Sequence, residues 1–233
     1  MKTPIEREIL IAILKKTKES NIIRLEDISV ETRFARTFIQ EALKKFYEEN
    51  FLDLEEDKIL ISNEQRMKIA VKAINLGSDI ERVGRFLTWS EFEKLSKISF
   101  EANSFSVRTN FHFTWMEKKW EVDIIGLKKP LIISADCKHW HQKWSGTASV
   151  KAAKSQLERT KALAEASAII KGKIGISGWK YAYFVPIVLS LFPSQYKFYE
   201  GIPIVPILHL RDFLQNIIAH LEDVNSIYVS YKV

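Results

Sequence analysis

Between residues 105 and 140 three strand-like segments follow one another with only short polar turns between them: FSVRTNFHFTW, KWEVDIIGL and LIISADCKHW. β-Branched and aromatic residues dominate, and the second and third segments are apolar enough to be buried on both faces. Such a sheet needs helices to cover it, and the flanking sequence supplies them. SDIERVGRFLTWSEFEKLSKISFEAN carries Phe86, Leu87, Phe92, Leu95 and Ile98 as an apolar helical face, and TASVKAAKSQLERTKALAEASAIIKGK reads as a second helix. KYAYFVPIVLSLF is then a strongly apolar strand, IPIVPI a short strand, LRDFLQNIIAHL a helix and SIYVSYKV a terminal strand. The order helix, three strands, helix, strand predicts an α/β core.

The preceding residues have another character. Ile5, Ile9, Ile13 and Leu14 keep helical spacing, with Thr3 as a cap and Pro4 at the first helical position. LEDIS is a short helix, and TRFARTFIQEALKKFYEENF a longer one with Phe34, Phe38, Ile39, Leu43 and Phe46 on its apolar face. LDLEEDKILIS alternates about an acidic turn, as a two-stranded ribbon does. NEQRMKIAVKAINL, closed by Gly77, is a connecting helix, which puts the domain boundary near Gly77-Ser78 and the domains at 1–77 and 78–233.

The formal net charge is +6, and its placement says more than its size. Residues 1–78 hold 14 basic and 14 acidic side chains, whereas residues 108–180 hold 14 basic against 6 acidic. That concentration points to a local phosphate-binding surface. One cysteine in 233 residues excludes an intramolecular disulfide and a multi-cysteine zinc site. No apolar run reaches the roughly 20 residues of a membrane helix, and the N-terminus lacks a secretory core, so no membrane partner is expected and the cytoplasm is the expected compartment.

Chemistry gathers at the end of the third strand. Alternation puts Asp136 and Lys138 on one sheet face and Ala135 and Cys137 on the other. If the hairpin turns about Lys128-Lys129-Pro130, Asp123 falls opposite or nearly opposite Asp136. Two neighbouring buried carboxylates share a proton or hold a cation, and an all-oxygen site suits magnesium or manganese. Lys138 beside them can neutralise charge on a phosphate or help deprotonate an attacking water, which suggests metal-assisted phosphodiester hydrolysis. The bland alternative is that both acids are solvated strand ends paired with Lys138. Cys137 is read as packing, and His139 and His141 as bystanders. Trp140 and Trp144 flank Lys143 and either stack on unpaired bases or roof the core.

Asp123 followed by Asp136-Cys137-Lys138 resembles the PD-(D/E)xK signature of the restriction-endonuclease-like nucleases, which include Mrr-type enzymes and Holliday-junction resolvases. Val122 stands where that signature has proline. The resemblance implies a third acid on the helix before the strands, here Glu93 in TWSEFEKL, with Glu91 as the substitute. By the same resemblance Glu93, Asp123, Asp136 and the Cys137 carbonyl would arrange the metal, Lys138 would act on the water, and Gln156 or Lys154, on a helix that also carries Lys151, Arg159 and Lys161, would reach the phosphate. The N-terminal segment looks like a winged helix-turn-helix whose third helix would present Arg33, Arg36, Thr37, Gln40, Lys44 and Lys45 to DNA; a protein-binding module is its competitor, favoured by the acidic tip Glu55-Glu56-Asp57. This pairing of winged helix and nuclease core is similar to an archaeal arrangement, on LTWSEFE, DCKHW and VPIVLSL. The expectation is a magnesium-dependent DNA endonuclease, working as a homodimer to cut both strands. The alternatives are a DNA-binding adaptor with a vestigial core, or a nuclease acting on RNA.

Overall fold

The computed structural model describes residues 2–56, 58–138 and 146–231 of a mixed α/β chain. Two compact units emerge, Met1–Leu95 and Ser96–Val233.

In the first unit the elements are α1 (Lys2–Lys16), β1 (Ile22–Arg24), α2 (Leu25–Thr32), α3 (Arg36–Glu48), β2 (Asp53–Glu55), β3 (Lys58–Leu60), α4 (Asn63–Asn75) and α5 (Ile80–Gly84). α6 (Trp89–Ala102) begins in this unit and ends in the next. Six consecutive residues of α1, Ile9 to Leu14, are buried, so this helix is enclosed rather than laid on a surface. β2 and β3 form the expected antiparallel ribbon, and β1 adds to β3 with Ile22 opposite Leu60. Only three residues long, β1 offers no period for a sequence pattern to register.

Three expectations change here. The long helix expected from Thr32 starts later: the short helix before it runs on to Thr32, Arg33 adopts φ 58 and its N–H closes onto Ser29 O, ending α2, and α3 starts at Arg36. Phe38, expected in the apolar face, is 52% exposed. The units also meet at Leu95–Ser96 rather than near Gly77. Val83, Leu87 and Leu95 pack with Ile9, Leu10 and Ile69, which keeps residues 79–95 with the first core. α5 and α6 are separate because Thr88 starts the latter: its N–H donates to Glu91 Oε2 at 2.7 Å, and Glu91 N–H donates to Thr88 Oγ1 at 3.3 Å. Glu91 also holds buried Arg66, at 2.8 Å.

In the second unit β4 (Ser106–Trp115), β5 (Lys118–Lys128) and β6 (Leu131–Lys138) form a meander, and α7 (Gly146–Ala166) and α8 (Lys171–Ile174) lead to β7 (Tyr181–Ser190). β8 (Phe198–Tyr199), β9 (Ile202–Pro206), α9 (Leu210–Asn216) and β10 (Ile227–Ser230) complete it. The sheet order is β4-β5-β6-β7-β9-β8. β6, β7 and β9 run parallel, as the α7 crossover requires. One edge of β7 is shared: β10 pairs its first half, from Tyr181 to Phe184, and β9 its last three residues. On the face away from α7, Gly126 lies under α6; a Cβ there would stand 2.6 Å from the Phe100 ring.

Candidate active site

The β5–β6 hairpin turns on Lys129-Pro130, with Lys128 opposite Leu131, and its ladder runs out at Ile124 opposite Ala135. Asp123 and Asp136 are the next residue on each strand. The register therefore settles on direct opposition, the closer of the two arrangements open to the sequence. On its other side Asp123 is released as well. The β4–β5 ladder pairs Thr109 with Ile124 and Phe111 with Val122 and skips the position between, where Asn110 takes φ 49. Beyond this break Phe111, Phe113 and Val122 pack with Leu163 and Ala166 of α7. The hairpin thus changes course at Asp123, and a carboxylate freed from regular pairing on both sides can turn toward its neighbour.

Asp123 Oδ2 accepts a hydrogen bond from the Cys137 N–H at 2.7 Å. Burial pushes the Asp123 carboxyl up to about 6, and the adjacent Asp136 charge adds to the rise; the Cys137 N–H, Lys138 and Arg159 oppose it. Asp136 is 4% exposed and is met on both oxygens: Lys138 Nζ stands 2.8 Å from Oδ2 and Arg159 Nη1 donates to Oδ1 at 2.8 Å. The Arg159 Nη1 also donates to Gln156 Oε1 at 2.7 Å. Gln156, fully buried, spends its amide on Ser134, donating to the carbonyl at 2.6 Å and to the hydroxyl at 2.9 Å. A continuous chain thus runs from Ser134 through Gln156 and Arg159 to Asp136, tying α7 to β6.

Asp123, Asp136 and Lys138 are therefore brought together, with their burial against a core instead of at solvated strand ends. Gln156 joins them as a buried anchor and not as a group facing outward. Arg159 is the site residue the sequence reading did not single out among the basic residues of its helix. Lys151 and Lys154 are exposed, the latter 5.6 Å from the Tyr199 ring centroid. Cys137 is fully buried on the opposite side of its strand. Glu93 belongs to the first unit, where its Oε1 accepts from Trp89 Nε1 at 2.6 Å. His139, Trp140, His141, Lys143, Trp144 and Asp57 lie outside the described residues.

Among the candidate DNA-facing residues, Arg33 stands in the turn before α3 rather than on it. Arg36 is 3.4 Å from Glu26, Lys45 is drawn to Glu6 at 2.9 Å, and Gln40 and Lys44 line a cavity of about 230 Å³ with Glu56 and Lys58. Thr37 is exposed.

The donor chemistry fits a hard divalent cation. Two opposed, largely buried carboxylates, one with its affinity for protons raised partly by the other, are what such a cation relieves. Among the described residues no three His, Cys, Asp or Glu side chains gather, so the side-chain set is this pair. No helix is long and apolar enough to cross a membrane among the described residues.

No family model matches the chain. An uncharacterised protein of Archaeoglobus fulgidus is 25% identical over 137 residues, covering 59% of this chain and 97% of that one. Among solved structures, protein VC1899 from Vibrio cholerae aligns with a TM-score of 0.37 at 11% identity over 95% of this chain, which spans about half (52%) of that protein's length.

Proposed function

We propose that the chain is a divalent-cation-dependent phosphodiester hydrolase acting on DNA, built on a core of the restriction-endonuclease type. The observation that carries this reading is the pair Asp123 and Asp136, opposed at the end of the β5–β6 ladder with Lys138 and Arg159 closed onto Asp136. Asp123, Asp136 and the Cys137 carbonyl would hold Mg2+ or Mn2+. The cation supplies a Lewis acid that polarises the scissile phosphate and sharpens a nearby water. With a cation held by Asp136, Lys138 and Arg159 would be available to the substrate. Arg159 then neutralises a phosphate oxygen through its planar fork. Lys138 orients the attacking water and offsets the charge that grows as the new phosphorus–oxygen bond forms and the bond to the leaving sugar oxygen breaks.

The N-terminal unit supports a winged-helix reading through the order α2, turn, α3 and the β2–β3 ribbon, and such a module would hold or recruit the DNA. Its interaction would rest on Gln40, Lys44 and the start of α3. A homodimer would present two sites for the two strands. A second reading, a nucleic-acid-binding domain with a structural charge cluster, is favoured by one observation: both oxygens of Asp136 already have cationic partners.

Cleavage of duplex, branched, nicked and single-stranded DNA, and of RNA, with Mg2+ or Mn2+ against a chelator control separates the two. Asp136→Ala is expected to abolish cation-dependent cleavage of the preferred substrate, and Lys138→Ala to lower turnover by at least tenfold with little change in affinity. Cleavage unaltered by Asp136→Ala would sink the assignment, and DNA binding without cleavage by the wild type would favour the second reading.

A further inference from the structure

The cations of the two units are used differently. In the first, Lys15 pairs with Glu31, Lys45 with Glu6, Lys72 with Glu49 and Arg82 with Glu8. In the second, a group of cations gathered about α8, two of them against β4, is held in place without acids. Arg108 Nε donates to Ile174 O at 3.3 Å, and Gly175, at φ +100, brings the main chain so close that a Cβ would stand 2.8 Å from Arg108 Nη2. Lys173 Nζ donates to the His112 carbonyl and lies 5.4 Å from the Phe111 ring centroid. Lys171 Nζ lies 4.4 Å from the ring centroid of Tyr231. Among the described residues, none of Arg108, Lys171 and Lys173 has a carboxylate within 4.0 Å. Each is therefore seated on carbonyls or an aromatic face, with its charge uncompensated.

Their position bears on the site. Asn110 lies between the two pairings that bracket Asp123, one strand away, which is about 5 Å. Arg108 and His112 are two residues to either side of it, about 7 Å along the strand. Phosphates advance about 3.4 Å per nucleotide along a duplex strand, so Arg108 and Lys173, which meets the His112 carbonyl, fall within a few nucleotides of the carboxylate pair, and Lys171 lies two residues from Lys173 on α8. We infer that Arg108, Lys171 and Lys173 form a docking rail for the sugar–phosphate backbone that flanks the bond being cut. Fixed point charges beside a reacting centre suit a regular polyanion, since their geometry is set before the ligand arrives. This inference rests on the DNA reading of the neighbouring site and goes beyond it by naming where the flanking strand is held.

The test is the affinity of the full chain for a short DNA duplex, titrated against salt in chelator so that nothing is cleaved. Arg108→Ala/Lys171→Ala/Lys173→Ala is expected to weaken binding at least tenfold at low salt and to reduce the slope of log Kd on log salt by about 2 to 3, near 0.9 for each lost contact. With cation present, KM should rise and kcat stay within twofold. Lys171→Glu alone, which leaves Arg108 and Lys173 and their carbonyl contacts in place, should weaken binding in the same direction; its unfolding midpoint, compared with that of the wild type, checks that the core around Tyr231 is kept and guards against a misfolded triple variant. An unchanged Kd and slope overturn the rail, as does an equal loss of binding to polyglutamate or to phosphatidylserine vesicles. Asp136→Ala run in parallel keeps the two ideas apart. If it abolishes cleavage while the rail variants bind like the wild type, the rail fails and hydrolysis stands. If no protein cleaves yet the rail variants lose affinity, hydrolysis fails and the rail stands.

Discussion

Asp123 carries the clearest consequence for single-residue chemistry. Its carboxyl is raised from 3.8 to about 6, so between pH 4 and 6 the folded protein binds more protons than the unfolded chain. A group raised in this way destabilises the fold as it ionises: stability falls as pH rises through that window and is level above it. Asp123→Asn keeps an oxygen to accept the Cys137 N–H while removing the charge. In chelator at pH 7.5 it is expected to be more stable than the wild type by about 2 to 3 kcal/mol, with the gain vanishing near pH 4. Thermal or urea unfolding at the two pH values checks this, and a variant less stable at pH 7.5 would refute it. The pair Asp123 and Asp136 was legible in the sequence because charges interrupted apolar strands. Arg159 was not, because Lys151, Lys154 and Lys161 share its helix, and only the rotation of α7 that buries Gln156 decides which cation reaches Asp136.

At the level of elements, the meander β4-β5-β6 followed from alternation and short turns, and β7 as a strand from its apolar run; its parallel pairing with β6 came only with the structure. Irregularities hid better. The break between α2 and α3 was expected before Thr32, but its place rests on Arg33 at φ 58, with neither glycine nor proline to announce it. The change of course in β4 rests on Asn110 at φ 49, inside a segment whose alternation looks unbroken. Asparagine visits this conformation more readily than most residues, but a single Asn in a strand is weak notice. Gly126 was legible only as a glycine; its reason is the α6 ring packed against it. Gly126→Ala must push back the buried Phe100, which should cost about 1 to 3 kcal/mol and lower the unfolding midpoint without touching Asp123 or Asp136. A midpoint equal to that of the wild type would show the helix to be more loosely seated than its contacts imply.

Over the whole molecule the charge divides as the units do: residues 1–95 carry 17 basic and 18 acidic side chains, residues 96–233 carry 18 and 11. That excess is legible in the sequence as a count along the chain, whereas the boundary is not: a glycine stop after a helix, as at Gly77, marks a turn and cannot tell which core the next helix joins. The shared edge of β7 has a further consequence, in time rather than space. Half of that edge waits for β10, whose Ile227 pairs with Phe184 and whose Ser230 pairs with Tyr181. During synthesis the first unit has all its strands once residue 95 has left the ribosome, whereas the central strand of the second stays half-partnered until the chain has grown past residue 230. Domains fold as units in the order in which they are made. Nascent chains stalled with residue 210 just emerged should yield a protease-resistant fragment from the first unit alone, and protection of residues 106–190 at that length would show that β7 closes without its last neighbour.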